Sequence, residues 1–253
     1  MIRLNAELLR KILDIVEDFT DNEDGVLFQF RDDGMLVRQA DASNAYLVHL
    51  FLHRSVFDSY EPEEEKVYVR TTPIRKRLKR LKKDFVADIY IEEGLVIEMR
   101  GMYGKRRYGF GVMEAKYAKP TPPNLKVPIR VRAKVFSDAL RDAVRDASSV
   151  LPTFDIEAKK EPKRLAIYAL EKGTFNSSWT EFYENSGYME MEVEEDSRAT
   201  YNCEVVSSIT DNAGRLSNVV LLEFGQDQPM RLEYQLPFKG QLYFWVCPYV
   251  EKK

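Results

Sequence analysis

Few residues in this 253-residue chain have the types and spacing that catalysis requires. The two histidines, His49 and His53, lie in or beside an apolar stretch, and no cysteine or carboxylate stands near them at ligand spacing. Two acidic runs, 61–65 and 190–196, could be imagined as metal sites, but runs of one charge are usually solvated faces. The histidines and the acidic runs therefore predict no metal and no cofactor.

The glycines and cysteines do not form a reactive motif either. No helix is predicted after the main glycine cluster, so it indicates turn geometry and not a phosphate-binding loop. That cluster consists of Gly101, Gly104, Gly109 and Gly111. Cys203 and Cys247 are not spaced as a metal or redox pair, which predicts two thiols packed as small apolar groups in a reducing compartment. We expect no catalytic residues and no enzyme activity.

The segment 73–83, PIRKRLKRLKK, is the informative charge feature. Thr71 or Thr72 is predicted to cap a helix here, with Pro73 in the first turn. A solvated amphipathic helix would mix charge signs, whereas this one carries only cations, which favours a polyanion as its partner. The segment lacks residues suited to reading bases, so the cations would contact phosphates without sequence preference. They are Arg75, Lys76, Arg77, Lys79, Arg80, Lys82 and Lys83.

Composition fits a folded intracellular protein. Charged residues make up 31% of the chain and the formal net charge is only −3, so the distribution of charge is more informative than its sum. The start of the chain lacks the apolar core of a signal peptide, and no run of about 18 apolar residues predicts a membrane span. We expect a cytoplasmic protein, or a nuclear one if the source is eukaryotic.

Two halves of the chain follow one plan. Apolar residues at helical spacing predict helices over 6–19 and 134–150, about half the chain length apart. A second pair, 73–83 and 203–213, has a similar offset. Runs rich in Val, Ile, Tyr and Phe, separated by turn residues, predict antiparallel strands between the helices. These runs are 26–30, 46–52, 66–70, 85–91, 164–170, 188–194 and 218–224.

The predicted fold class is α+β, with two duplicated domains that each pack two helices on an antiparallel sheet. Four of the eleven prolines fall within 117–128, which predicts an extended linker. The predicted domains are therefore 1–116 and 129–253, joined by that linker.

Residues 41–61, DASNAYLVHLFLHRSVFDSYE, carry an Asp, small residues, a Leu-Val strand and then F-D-x-Y. In residue types and spacing this segment resembles the DNA sliding clamps of archaea and eukaryotes (proliferating cell nuclear antigen). Residues 229–248, PMRLEYQLPFKGQLYFWVCP, are similar to the last two strands of that family, and the aromatic ending looks archaeal. The resemblance implies the ring-forming DNA clamp fold, with three subunits closed around double-stranded DNA.

In that family the helices line the ring, so the resemblance adds further cations to those of segment 73–83 as phosphate contacts. The added residues are Arg10, Lys11, Arg141, Arg145 and Arg215. Asp211 departs from the family pattern, because that last helix often carries a basic residue there, so the positive field could be uneven.

Ring closure, by the same analogy, pairs a strand near 106–113 of one subunit with a strand near 175–183 of the next. Acidic residues recur at every fourth position of one helix, and some relatives set them against the neighbour's cations. Local pairing with Arg141 and Arg145 is the alternative. The predicted interface residues are Arg106, Arg107, Asp138, Asp142 and Asp146.

Relatives also bind a short partner peptide beneath the linker. The partners implied are DNA polymerase, flap endonuclease, DNA ligase and the clamp loader, beside identical or paralogous subunits, with no membrane involved. The matching pocket residues are Ala40, Asn44, Leu47, Tyr117, Pro122, Pro123, Leu125, Pro229, Trp245, Val246, Cys247 and Pro248. Two alternatives are kept: a basic-helix DNA-binding protein that forms no clamp, and a metal-dependent enzyme.

Overall fold

The structure is a computed structural model that describes residues 1–17, 25–41, 43–79, 85–102 and 104–250. The chain forms two compact units. Unit 1 contains Met1–Pro122 together with Phe238–Leu242, and unit 2 contains Pro123–Pro237 together with the chain from Tyr243 onward. The proline-rich segment 117–128 includes the point at which the chain leaves unit 1, and the domain limits 1–116 and 129–253 stay a prediction.

Unit 1 packs two helices with antiparallel strands. The helices are α1 (Ala6–Glu17) and α2 (Thr71–Leu78). The strands are β1 (Ile2–Asn5), β2 (Val26–Arg31), β3 (Gly34–Ala40), β4 (Tyr46–His53), β5 (Ser59–Tyr60), β6 (Lys66–Val69), β7 (Val86–Ile91), β8 (Leu95–Gly101) and β9 (Gly104–Phe110). They run in the orders β5-β1-β7-β8-β9 and β4-β3-β2-β6, and β9 is an edge strand.

Unit 2 repeats this plan. Its helices are α3 (Ser137–Ser148) and α4 (Cys203–Ala213). Its strands are β10 (Val131–Phe136), β11 (Thr153–Lys159), β12 (Arg164–Leu170), β13 (Ser177–Phe182), β14 (Tyr188–Val193), β15 (Ser197–Asn202), β16 (Val219–Phe224), β17 (Met230–Tyr234) and β18 (Gly240–Val246), of which residues 240–242 belong to unit 1. They run in the orders β14-β10-β16-β17-β18 and β13-β12-β11-β15, and β13 is an edge strand. The predicted duplication of an α+β unit is confirmed.

Helix α1 forms where the apolar spacing predicts it. Leu9, Ile12 and Leu13 are buried on one face, and each such side chain contributes about 1.5–3 kcal/mol by leaving water. The Asn5 side chain accepts a hydrogen bond from the backbone N–H of Glu7 at 2.8 Å, which satisfies a donor that the first turn leaves unpaired. The last two residues of the predicted helix, 18–19, lie outside the described residues.

The predicted start of the third helix was wrong. The sequence predicted 134–150, whereas α3 begins at Ser137 because Val135 and Phe136 end strand β10. Val135 pairs with Val220 of β16 and is buried. Apolar residues at these two positions fit a strand as well as a helix. They belong to the strand because the sheet pairs their backbone groups.

Helix α2 differs from its prediction at its first residues. Thr71 lies inside the helix, Arg70 is the capping residue, and no side chain makes a capping hydrogen bond. Pro73 lies in the first turn, where its missing N–H costs nothing. The remainder of the predicted segment, 80–83, lies outside the described residues. Helix α4 spans the predicted residues, and Asn202 caps it by accepting from the N–H of Val205 at 3.1 Å.

Candidate nucleic-acid interface and subunit edges

The described cations of segment 73–83 divide into two groups. Lys76 and Lys79 are exposed, and neither forms an ion pair within the part of the chain that the structure describes. Arg75 donates from Nε to Asp14 Oδ1 of α1 at 2.6 Å. Arg77 lies over the Phe110 ring, 5.3 Å from its centroid, and is held against strand β9 by a cation–π contact. Arg80, Lys82 and Lys83 lie outside the described residues.

The cations of α1 are less available than those of α2. Arg10 is half-buried, and its Nε has no hydrogen-bond partner among the described residues. Lys11 lies 3.7 Å from Glu7, one helical turn earlier, on the same face. Such exposed helical pairs stabilise by only about 0.3–0.5 kcal/mol, so the Lys11 ammonium can exchange its partner readily.

Unit 2 supplies its own counterions to the predicted phosphate contacts. Arg141 lies 2.8 Å from Asp138 and 3.5 Å from Asp142. Arg145 donates to Asp211 Oδ1 of α4 at 2.6 Å. Asp138 and Asp142 therefore pair locally with Arg141, which is the alternative to a subunit contact. Pairing of these aspartates with cations of a neighbouring subunit stays a prediction.

The remaining candidate on the unit 2 helices follows α4 directly. Arg215 is exposed and forms none of the ion pairs found among the described residues. A phosphate would reach Arg215 without displacing a carboxylate, whereas it must compete with an aspartate for Arg141 and Arg145. Because charged pairs at an exposed surface are weak, that competition is one that phosphate can win at low salt.

Some carboxylates of the two acidic runs hold hydrogen bonds or ion pairs on the protein surface. Glu63 accepts from the backbone N–H of Ile91 at 2.8 Å, and this hydrogen bond lowers the pKa of its carboxyl. Glu190 lies 2.8 Å from Lys134. Asp196 accepts from the backbone N–H of Lys160, and this bond is the largest cause of a lowered pKa for Asp196. Across the described ranges, no group of three or more His, Cys, Asp and Glu side chains is placed to hold a metal ion.

The two thiols differ in their surroundings. Cys203 is buried, and its burial raises the pKa of the thiol to about 11, so it behaves as a small apolar group. Cys247 is exposed, and the prediction that both thiols are packed was wrong. The exposure follows from position, since Cys247 comes directly after β18, where strand alternation no longer governs burial.

The glycine cluster forms the β8–β9 hairpin, as turn geometry predicts. Gly101 pairs with Gly104, and the φ of Gly104 is 139°, which disfavours any side chain. The histidines lie in β4. His49 Nδ1 lies 3.1 Å from the Arg38 guanidinium, and His53 Nδ1 lies 2.7 Å from Ser55 Oγ.

Buried carboxylates on the sheet surfaces are the main feature that sequence reasoning missed. In unit 2, Glu223 is 6% exposed and lies 3.0 Å from Arg132 and 2.7 Å from Arg231. In unit 1, Asp88 and Glu98 are directly opposed on β7 and β8, and both are buried. The available signal for these sites was a charged residue within a strand of apolar neighbours. Its cationic partners come from other strands, so the local sequence does not indicate them.

The unit 1 carboxylates are enclosed by three cations on three strands. Arg3 donates to Asp88 at 2.6 Å, and Arg100 lies 3.2 Å from Asp88 and 2.8 Å from Glu98. Lys105 of β9 lies 2.6 Å from Glu98, and its hydrogen bond lowers the pKa of that carboxyl. The edge strand β9 is thereby tied to the sheet by a charge network as well as by its backbone.

The predicted pocket residues are described one unit at a time. In unit 1, Leu47 is buried in β4, Asn44 has a φ of 55°, and the backbone oxygen of Pro122 accepts from Arg38 Nε at 2.7 Å. In unit 2, Trp245 and Val246 are buried in β18. The other predicted residues are Ala40, Tyr117, Pro123, Leu125, Pro229, Cys247 and Pro248. The pocket takes residues from both units and stays a prediction.

Both predicted subunit edges carry unusual exposed side chains. On β9, Arg106 lies over the Phe85 ring with its guanidinium carbon 5.7 Å from the centroid, and Arg107 forms an ion pair with Glu92. On β13, Trp179 is 48% exposed. Proteins normally cover or protect an exposed edge strand, because its unpaired backbone groups can pair with another chain.

Comparisons with known proteins point to one family. Residues 2–86 match the family described as proliferating cell nuclear antigen, N-terminal domain. A DNA polymerase sliding clamp of Thermofilum pendens is 28% identical over 239 residues, which cover 94% of this chain and 94% of that protein. One of Thermococcus sibiricus is 29% identical over 246 residues, 96% of each.

Solved structures give the same fold. PCNA from Thermococcus kodakaraensis matches with a TM-score of 0.84 at 23% identity, over 98% of this chain and 99% of that one. A chain of the PCNA2–PCNA3 complex from Sulfolobus tokodaii matches with a TM-score of 0.83 at 24% identity, over 98% of each. The fold is therefore the DNA clamp fold.

The resemblance to the sliding-clamp family that segments 41–61 and 229–248 carry is confirmed. Along almost its whole length the chain is similar to archaeal DNA polymerase sliding clamps, and residues 2–86 match the model of the PCNA N-terminal domain. Among the described residues, no helix is both long enough and apolar enough to cross a membrane.

Proposed function

We propose that this chain is a subunit of a DNA sliding clamp, a ring that encircles duplex DNA and holds replication and repair enzymes on it without catalysis of its own. One observation carries the proposal. The chain matches archaeal sliding clamps over 94–96% of its length, with both α+β units present. A function that depends on the geometry of the whole ring needs every element, whereas an isolated DNA-binding helix would not.

Contact with DNA would be weak and interchangeable. Lys76, Lys79 and Arg215 are exposed cations that can approach phosphates directly. Arg141 and Arg145 would exchange aspartate partners for phosphate. Phosphate neutralisation without base contacts has little sequence preference and is screened by salt, so the ring can move along the duplex. Topological closure, rather than affinity, would then keep the protein on DNA.

Assembly would join three subunits head to tail, with β9 of one chain beside β13 of the next. Both strands are sheet edges, and pairing them would satisfy backbone groups that each unit leaves open. A heterologous contact of this kind closes when its rotation returns to the start. One similar structure contains two different PCNA chains, so mixed rings are an alternative to three identical subunits.

Partner enzymes would dock through short peptides at the predicted pocket. The proposed partners are DNA polymerase, flap endonuclease, DNA ligase and the clamp loader. An apolar surface that accepts aromatic side chains from a disordered tail is a common recognition mode. The buried Trp245 would support this surface from below, and Cys247 is exposed.

Retention on circular DNA is the decisive test. The protein, loaded by a clamp loader, should stay on closed circular DNA and dissociate when the circle is linearised. A basic-helix DNA-binding protein would show the same affinity for both forms, and that result would refute the clamp. Incubation of the purified protein with magnesium, manganese or zinc and DNA should give no cleavage; cleavage would instead favour a metal-dependent enzyme.

A further inference from the structure

Gly109 in the edge strand β9 has no explanation within its own chain. Its φ lies outside the left-handed region, and an added Cβ would meet no atom within 4 Å. A glycine inside a strand weakens it, because glycine loses more conformational freedom and packs no side chain. Such a glycine often marks a bulge, a tight bend or the close approach of a ligand or another backbone, and the register of β8 and β9 runs through Gly109 without a shift. The exposed surface of β9 at Gly109 is therefore shaped for a contact that this chain does not make with itself.

Trp179 on the edge strand β13 presents the opposite shape. The indole is 48% exposed, and it stacks on Tyr168 of the neighbouring strand with centroids 4.6 Å apart and an interplanar angle of 14°. Arg164 lies over the same indole at 5.6 Å. A large aromatic side chain that is held rigidly and left half in water is typical of an interface anchor.

Charge adds a second complementary pair. Glu181 is the acidic residue of β13, it is exposed, and it forms none of the ion pairs found among the described residues. Strand β9 carries Lys105, Arg106 and Arg107, and Arg107 is 51% exposed. Alternation along each strand puts Arg107 on the face of Gly109, and Glu181 on the face of Trp179.

We infer that Trp179 of one copy packs on Gly109 of the next copy, with Glu181 paired to Arg107, and that these four residues set the register and partner choice of the subunit contact. The inference rests on the proposed clamp function and names the occupant of its edges as a second copy of this chain. One antiparallel register satisfies both contacts. On β9, Arg107 precedes Gly109 by two residues, and on β13, Glu181 follows Trp179 by two residues. When Gly109 lies opposite Trp179 in an antiparallel pair, Arg107 therefore lies opposite Glu181.

Other arrangements satisfy fewer contacts. In a parallel pairing, a Trp179–Gly109 contact would put Arg107 opposite Ser177, so Glu181 would have no cation opposite it. In an antiparallel pairing shifted by two residues, Trp179 would lie opposite Arg107 and Gly109 opposite Ser177, which leaves the glycine unexplained. One chain carries both edges: β13 has the aromatic and the acidic residue, and β9 has the glycine and the basic residue. Identical copies are therefore complementary.

Association measured by sedimentation or native mass over a dilution series tests the contact. Trp179→Ala and Gly109→Val should each weaken self-association at least about tenfold, since anchor residues dominate interface energy. A Cβ at position 109 meets no atom of its own chain within 4 Å, so the unfolding temperature of Gly109→Val should not fall. Met189→Ala, at a residue 45% exposed on strand β14, is the matched control and should leave association unchanged. Unchanged association in both edge variants would overturn the inference.

A charge exchange tests the ion pair. Glu181→Arg should weaken association, and the same change combined with Arg107→Glu should restore most of it. A double variant that associates less well than Glu181→Arg alone would contradict the pairing. Thermal unfolding of both variants separates weaker association from impaired folding, because Arg107 also pairs with Glu92 of its own chain.

Cysteine cross-linking reports the register directly. In a Cys247→Ser background, Arg107→Cys with Glu181→Cys should form intermolecular disulfides upon oxidation. Lys105→Cys with Glu181→Cys, which reports the shifted register, should not. Cross-links from the second pair alone, in a ring that is retained on circular DNA, would overturn this register while the clamp function stands. A wild-type chain that neither self-associates nor is retained on circular DNA would overturn both.

Discussion

Replacing Asp211 by Asn should strengthen the interaction with DNA, because it releases Arg145 from its partner. The two side chains lie 2.6 Å apart and are 33% and 54% exposed, so their pairing contributes only about 0–1 kcal/mol to stability. The variant should therefore fold normally, with a small change in its unfolding temperature. Each Arg145 that binds a phosphate in place of Asp211 should steepen the slope of log K against log salt by about 0.9.

That slope has a measurable consequence. Between 50 and 200 mM salt, one additional neutralised phosphate would weaken binding by a further factor of about 3.5, so the advantage of the variant should shrink over that range. Titration of duplex DNA by fluorescence anisotropy at several salt concentrations measures both the affinity and the slope. Arg145→Ala combined with Asp211→Asn should remove the additional slope.

Asp146→Asn is the matched control. Asp146 lies on the same helix as Arg145 and forms none of the ion pairs found among the described residues, so its replacement removes the same charge without releasing an arginine. If both variants raise the affinity and slope equally, net charge alone is responsible and the reasoning about Arg145 is refuted. If neither changes them, α3 does not face phosphate.

Three further predictions concern other parts of the chain. Replacing both Lys76 and Lys79 by Ala should make the slope of log K against log salt shallower by about 0.9 for each phosphate that is no longer neutralised. The unfolding temperature should not change, because neither side chain is paired within the described residues. An unaltered slope would contradict the assignment of these lysines as phosphate contacts. Lys105→Met should remove part of the acid sensitivity of folding. The hydrogen bond from Lys105 lowers the pKa of Glu98 in the folded chain, so this pair stabilises above the ordinary carboxyl pKa and its contribution disappears as pH falls through the lowered folded value. Thermal unfolding from pH 7 downward should show the gap between variant and wild type closing with falling pH; a constant gap would refute this. Trp245→Ala should cost about 3–5 kcal/mol of folding stability because the indole is buried, and a variant with an unchanged denaturant midpoint would contradict that burial.

Local sequence was sufficient for the type of most elements. Apolar spacing identified α1 and α4, and enrichment in β-branched and aromatic residues identified β2, β4 and β7, because these elements each bury one regular face. The start of α3 failed at Val135 and Phe136. Both residues suit a strand or a helix, and the choice depends on backbone pairing with strands distant in sequence.

Side-chain partners were harder to predict than elements. Arg145 and Asp211 are 66 residues apart, and Arg75 and Asp14 are 61 apart, so no local pattern indicates either pair. Arg77 belongs to a basic helix but stacks on an aromatic residue of β9, because its direction from the helix is set by packing. The charge of segment 73–83 was evident in the sequence, whereas the share of it available to a polyanion was not.

The charge network around Asp88 and Glu98 bears on how the β9 edge behaves when nothing covers it. Ion pairs link side chains of β1, β7, β8 and β9, and Lys105 anchors the last strand through Glu98. An edge strand that is held by both backbone hydrogen bonds and side-chain ion pairs resists fraying. Separation of two copies would then leave a finished strand ready to dock again, and the rate of reclosure would depend on encounter and alignment instead of refolding.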